Sequence, residues 1–136
     1  MTRARPRSLG AIVGAAAADA ALIVAFAATG RGSHAERLDL VGVLGTAWPF
    51  VVGAAAGWIV VRAWRQPLEV WPTGIVVWAG ALVGGMLLRA LTGQGTALPF
   101  IVVATLTLGL FLVGWRAAVA AAVALRTRRR TGATAR

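Results

Sequence analysis

Leu9 to Thr29 reads LGAIVGAAAADAALIVAFAAT, an apolar run interrupted only by Asp19. A helix rises about 1.5 Å per residue, so about 20 such residues cover a hydrocarbon layer about 30 Å thick. The run is therefore long enough to cross a bilayer, and the one acid in it lies midway. A secretory signal is the competing reading, because Arg3, Arg5 and Arg7 precede it and Ala25-Phe26-Ala27 resembles a cleavage site. Signal h-regions are about 7 to 15 residues, shorter than this run, which favours a retained first helix.

The whole chain has the same character. Hydrophobic residues make up 59%, charged residues 13%, and mean hydropathy is +0.79, against roughly 45–50% apolar and roughly 25% charged in soluble domains. The net charge of +10 is carried by arginine alone. Those arginines cluster at the ends of apolar segments, where membrane proteins place anchoring charge, which speaks against nucleic acid as a partner. With no cysteine, disulfides, thiolate metal sites and lipoprotein anchors are excluded.

Three further spans follow. The second covers about 40–64 and contains Pro49, so it either kinks there or begins at Thr46. The third covers about 71–91, with Pro72 placed where a helix tolerates proline, in its first turn. The fourth covers about 97–118, and 119–136 is a helical extension and basic tail; beyond Leu125, RTRRRTGATAR reads as solvated and unstructured, drawn to anionic headgroups at the inner face. Residues 1–8 are a basic N-terminus. With both termini cytoplasmic, eleven arginines fall inside and three (Arg31, Arg37, Arg89) outside, which sets the expected orientation in the cytoplasmic membrane of a bacterial cell. The expected fold is all-α, an integral membrane four-helix bundle.

The chain repeats itself. GTAWPF (Gly45 to Phe50) returns as GTALPF (Gly95 to Phe100), and TGRGS (Thr29 to Ser33) returns as TGQGT (Thr92 to Thr96). The pattern predicts two helical hairpins of common plan, parallel repeats about an axis along the membrane normal. Gly10 and Gly14, Gly53 and Gly57, and Gly80 and Gly84 have the GxxxG spacing that lets helix backbones approach. The phrases FAATGRGSH, TAWPF, WPTGIVVW, GGMLLRALTGQG and LFLVGWR together resemble the prokaryotic membrane family designated domain of unknown function 3054, over about Asp19 to Arg116. That resemblance implies a four-helix membrane domain and carries no established activity, substrate or site.

Asp19 is the leading candidate for function, because inserting an aspartate at mid-membrane costs about 2.5–3.5 kcal/mol. Depth selects Thr105, Thr107 and Trp78 as its neighbours, with Arg89 starting well above it and Arg116 well below. Desolvation favours a neutral carboxyl that donates a hydrogen bond, unless a cation lies near. It would serve either as an interhelical clip or in a proton- or cation-linked step. A second group gathers at the outer turns: Arg31, Ser33, His34, Glu36, Arg37 and Asp39 from one, Arg89, Thr92, Gln94 and Thr96 from the other. These are loop and capping residues or the surroundings of an anion. One histidine and four acids without HExxH, GxSxG or a P-loop give no catalytic residue, no metal site and no cofactor. Three functions stay open: a small non-enzymatic carrier or channel-like unit, a homo-oligomeric or assembly subunit of a membrane complex, and a lipid-modifying enzyme using His34.

Overall fold

The computed structural model describes residues 8–33 and 39–134. Four helices, α1 (Leu9–Ser33), α2 (Leu40–Val61), α3 (Ile75–Leu91) and α4 (Leu98–Thr134), follow one another up and down, with no strand among the described residues. Each is long and apolar enough to cross a membrane, the third when counted with the helical turn before it as Val70–Leu91. The short α3–α4 turn lies at one end of the bundle, called the turn end below. The structured α2–α3 connection, residues 62–74, lies at the other.

The helix boundaries report local chemistry. Asp39 caps α2, its Oδ1 accepting from the Gly42 N–H at 2.6 Å, so the helix starts at Leu40 and passes through the buried Pro49 rather than beginning at Thr46. Proline forfeits one backbone hydrogen bond here, and Thr46 Oγ1 donates to the nearby Gly42 carbonyl at 3.1 Å. α2 stops at Arg62, whose φ of 53° reverses the chain. Trp71 is extended, with φ −118° and ψ 130°, as the residue before a proline tends to be. The α3 helix therefore begins at Ile75, and Pro72 belongs to the turn before it rather than to its first turn. The expectation of an unstructured tail is overturned as well. α4 continues as one helix for 37 residues, about 55 Å, because alanine and arginine after Trp115 are strong helix formers.

The two repeated phrases adopt different backbones. TGRGS completes α1 as helix, whereas TGQGT is a turn with Gly93 and Gly95 at φ 70° and 79°. Glycine takes such angles without a side-chain clash, and α4 follows at once, so the chain must reverse within this phrase. The GTAxPF phrases do converge. Phe50 and Phe100 meet with ring centroids 6.1 Å apart. Phe26, three residues before Thr29, packs edge-on to Phe50 at 5.4 Å; Arg89, three residues before Thr92, lies over Phe100 at 4.3 Å. Equivalent positions of the two hairpins thus make equivalent contacts.

Helix packing is uneven. Gly53, Gly57, Gly80 and Gly84 form the seam between α2 and α3; a Cβ at Gly57 would stand 2.8 Å from the Val76 carbonyl, and one at Gly84 would stand 2.9 Å from Gly53 Cα. Among the described residues Gly10 and Gly14, with the same spacing, have nothing or only the Ser8 hydroxyl nearby, so this pair joins no described helices. α1 and α4 close the bundle through the apolar residues Ile23, Phe26, Leu108 and Leu112, all buried. Gly57→Val should cost about 1–3 kcal/mol or more by overpacking the α2–α3 seam, while Gly14→Val leaves the thermal unfolding midpoint in detergent unchanged. Equal shifts for the two variants would contradict the seam.

Candidate functional site

Near the connection end, Asp19 and Arg116 meet inside the bundle, 3% and 0% exposed. Arg116 Nη1 donates to Oδ1 and Nη2 to Oδ2 of the carboxylate, both at 2.8 Å. Two indoles complete the shell: Trp58 Nε1 donates to Oδ2 at 2.8 Å and Trp115 Nε1 to Oδ1 at 2.9 Å. The bidentate fork matches the planar geometry of both groups. The guanidinium is bound elsewhere too. Its Nε donates to the Pro67 carbonyl at 3.0 Å and its Nη1 to the Leu112 carbonyl at 2.8 Å, and it lies 4.6 Å from the Trp115 ring centroid. No described buried side-chain nitrogen or oxygen lacks a partner.

This clasp draws on three of the four helices and on the connection: α1 supplies Asp19, α2 Trp58, α4 Trp115 and Arg116, and the connection supplies Pro67. The connection is itself held in shape. Thr73 Oγ1 donates to the Gln66 carbonyl at 2.8 Å and Gly74 N–H to Glu69 at 3.0 Å. Gly74 also leaves room for the arginine, since a Cβ there would stand 3.1 Å from Arg116 Cδ.

The neighbours expected for Asp19 lie elsewhere. Trp78 Nε1 donates to the Thr105 carbonyl at 3.1 Å, and Thr105 Oγ1 donates back to Ile101 at 2.6 Å, so these residues clip α3 to α4. Thr107 is half-buried on α4. Arg116 reaches Asp19 although its backbone starts well below it. Helical side chains lean toward the helix N-terminus, and for α4 that direction points back into the membrane layer. A long arginine thereby gains about a turn of height, as its bond to Leu112, four residues earlier, shows. Because all four groups around Asp19 are donors, the expected hydrogen-bond-donating carboxyl has no acceptor in this shell. A cavity of about 420 Å³ adjoins the clasp, with Asp19 and Trp58 among its lining residues beside Ala16, Ala20, Ala54 and Trp64.

At the turn end the polar residues take several roles. Asp39 caps α2, as above. Thr92 Oγ1 donates to the Leu88 carbonyl at 2.8 Å near the end of α3. Arg89 orders the α3–α4 turn, donating to Gly95 O at 3.1 Å, Gln94 Oε1 at 3.1 Å and Gln94 O at 2.9 Å. Arg31 and Arg89 line one cavity of about 430 Å³ that all four helices border. His34, Glu36, Arg37 and the side chain of Ser33 lie outside the described residues. Among the described residues no group of acids and histidine could hold a metal ion.

Four apolar helices sealed by an internal ion pair define a helical membrane protein. The family of proteins of unknown function DUF3054 matches residues 16–119, a stretch containing both partners of the clasp, and the chain belongs to that family. No curated protein and no solved structure matches it.

Removing one partner of a buried pair strands the other charge, at a cost of about 3–5 kcal/mol, whereas replacing both by apolar residues avoids that penalty. Asp19→Leu and Arg116→Met should each lower the thermal midpoint strongly, and the double variant should recover most of the loss. A double variant as unstable as the sum of the singles would mean that the two side chains act separately.

Proposed function

We propose that the protein is a small non-enzymatic carrier-like unit of the cytoplasmic membrane, with four spans, both termini cytoplasmic, and the clasp as its inner closure. The observation that carries this reading is the asymmetry of the bundle. At the connection end the helices are tied by an ion pair, two indoles and a loop carbonyl. At the turn end they part around a cavity of about 430 Å³. Between the two stand the phenylalanine cluster and the fully buried Ile23, Leu108 and Leu112. A closed end and, among the described residues, an end that borders a cavity, separated by packed side chains, are the parts that alternating access requires. An ion pair suits the closing role because its making or breaking shifts a two-state equilibrium by several kcal/mol.

The orientation rests on arginine. Arg116 is spent within the clasp and leaves the count, so eleven minus one, or ten, arginines lie on the side of the termini against three opposite, still a decisive bias. Along α4 beyond the bundle, Arg126, Arg128, Arg129 and Arg130 are exposed and face anionic headgroups, each contributing about 1 kcal/mol near the surface.

The absence of cysteine makes the test clean. Thr46→Cys, in the open cavity, should react with a membrane-impermeant maleimide in intact cells. Leu112→Cys should stay unreactive from both sides until Asp19→Asn opens the clasp, and then react in inside-out vesicles. Reaction of Thr46→Cys only in inside-out vesicles would reverse the orientation. If Leu112→Cys remains protected with the clasp broken in a folded protein, the gating role fails.

A second reading, self-assembly in the membrane, is favoured by one observation: among the described residues the Gly10 and Gly14 face of α1 meets no other helix. Close approach of a second α1 there would use the same geometry as the α2–α3 seam. Gly14→Cys should then yield a disulfide-linked dimer in mild detergent, and only monomer under oxidising conditions would exclude this contact.

A further inference from the structure

The cavity beside the clasp has a lining that selects its occupant. Ala16 and Ala20 of α1, Ala54 and Ala55 of α2, and Trp64 of the connection all border it. The polar side chains it reaches are already engaged: each oxygen of Asp19 accepts two N–H groups, and Trp58 Nε1 is one of those donors. That leaves the Trp64 indole as the one further side-chain donor among the lining residues. A polar molecule would find little to bond there, whereas a hydrocarbon loses nothing by entering.

Volume narrows the choice. One turn of helix with its side chains, about 10–12 Å across and about 5.4 Å high, takes up roughly 420–610 Å³. The cavity holds about 420 Å³ although its α1 lining runs from Ala16 to Ile23, about two turns. It is too narrow for a helix of a second copy and suits a single unbranched chain. Ala16 and Ala55 are exposed, so the cavity communicates with the surroundings of two membrane-crossing helices, and there the chains available are those of lipids.

Charge at one end indicates which lipid. Arg62 and Arg65 flank Trp64 in the sequence, and both are exposed. Among the described residues neither enters an ion pair or a side-chain hydrogen bond. Glu69, the acid of the same connection, is half-buried and has a partner of its own. An indole with an apolar body and a polar N–H, set between two guanidiniums, matches the junction of an acyl chain with a phosphate head.

We propose that this cavity seats one acyl chain of an anionic phospholipid, with Arg62 and Arg65 at its headgroup. The inference goes beyond the carrier reading, which needs no bound lipid. A zwitterionic lipid offers the same chain without the net charge that two arginines attract.

The experiment titrates the full chain in maltoside micelles with dioleoylphosphatidylglycerol or dioleoylphosphatidylcholine and reads lipid adducts by native mass spectrometry. Phosphatidylglycerol should saturate at one molecule per chain and bind about tenfold or more tightly than phosphatidylcholine, since each arginine near an anionic head is worth about fivefold. Arg62→Gln/Arg65→Gln should bring it down to the phosphatidylcholine value. Ala55→Phe, which fills the cavity, should weaken both lipids, while Ala56→Phe, the next residue of α2 and outside the lining, and Arg128→Gln/Arg129→Gln on α4 should bind like the parent. All these positions are exposed, so the variants should keep the parent's thermal midpoint. Equal binding of the two lipids by the parent, or parent affinity in Ala55→Phe, overturns the site. Loss of phosphatidylglycerol only in the α4 variant moves the lipid to the basic end of that helix and equally overturns it. A lipid-free dimer that Ala55→Phe abolishes would make the occupant a second copy instead. Lipid retention in micelles requires no gating, so its failure is separable from failure of the maleimide experiment.

Discussion

An aspartate in the first helix and an arginine in the last must find each other, because neither can stand alone in hydrocarbon. Each costs about 2.5–3.5 kcal/mol to place at the centre of a membrane helix, and their attraction offsets that only when the remaining polar atoms are also satisfied. Here the satisfaction is complete for both groups. Two indoles finish the carboxylate and two backbone carbonyls serve the guanidinium. The need to supply those partners explains why the α2–α3 connection turns one carbonyl inward, and why Gly74 sits where the arginine passes.

The bundle consequently has two kinds of joint. α2 and α3 are held by backbone proximity along a glycine seam, a contact with no polar term and little tolerance for displacement. α1 and α4 are joined by side chains: an aromatic cluster toward one end and an electrostatic clasp toward the other. Dispersion contacts along a seam resist any shift. A clasp is discrete, either made or broken, and a helix pair held by one is suited to two positions.

Much of this was legible in the residue string. Four apolar runs announced the helices, and Asp19 stood out by its isolation; the glycine spacing marked residues of the α2–α3 seam without telling which helices pair, and it marked Gly10 and Gly14 equally, which meet no described helix. The partner was missed because depth was measured along the backbone, while an arginine reaches back up its own helix. Trp58 and Trp115 lie near span ends, where an indole anchors at the interface by default, and only the fold reveals where its N–H points. Pro67 contributes a carbonyl, a group every residue has and no letter distinguishes. The tail misread has another origin: arginine-rich ends suggest solvated coil, yet with alanine beside them they prolong a helix already started. Likewise TGRGS and TGQGT look alike, and their backbones differ because only one must reverse direction immediately.

Asp19 and Arg116 are separated by 97 positions. Chains are synthesised at about 5–20 residues per second, so the acid emerges from the ribosome roughly 5–20 s before the cation that will neutralise it. During that interval the first helix carries an uncompensated carboxyl group, and only arrival of the final span removes the penalty. Biogenesis is thereby made directional, and completion of the last helix is the step that commits the first one to its place.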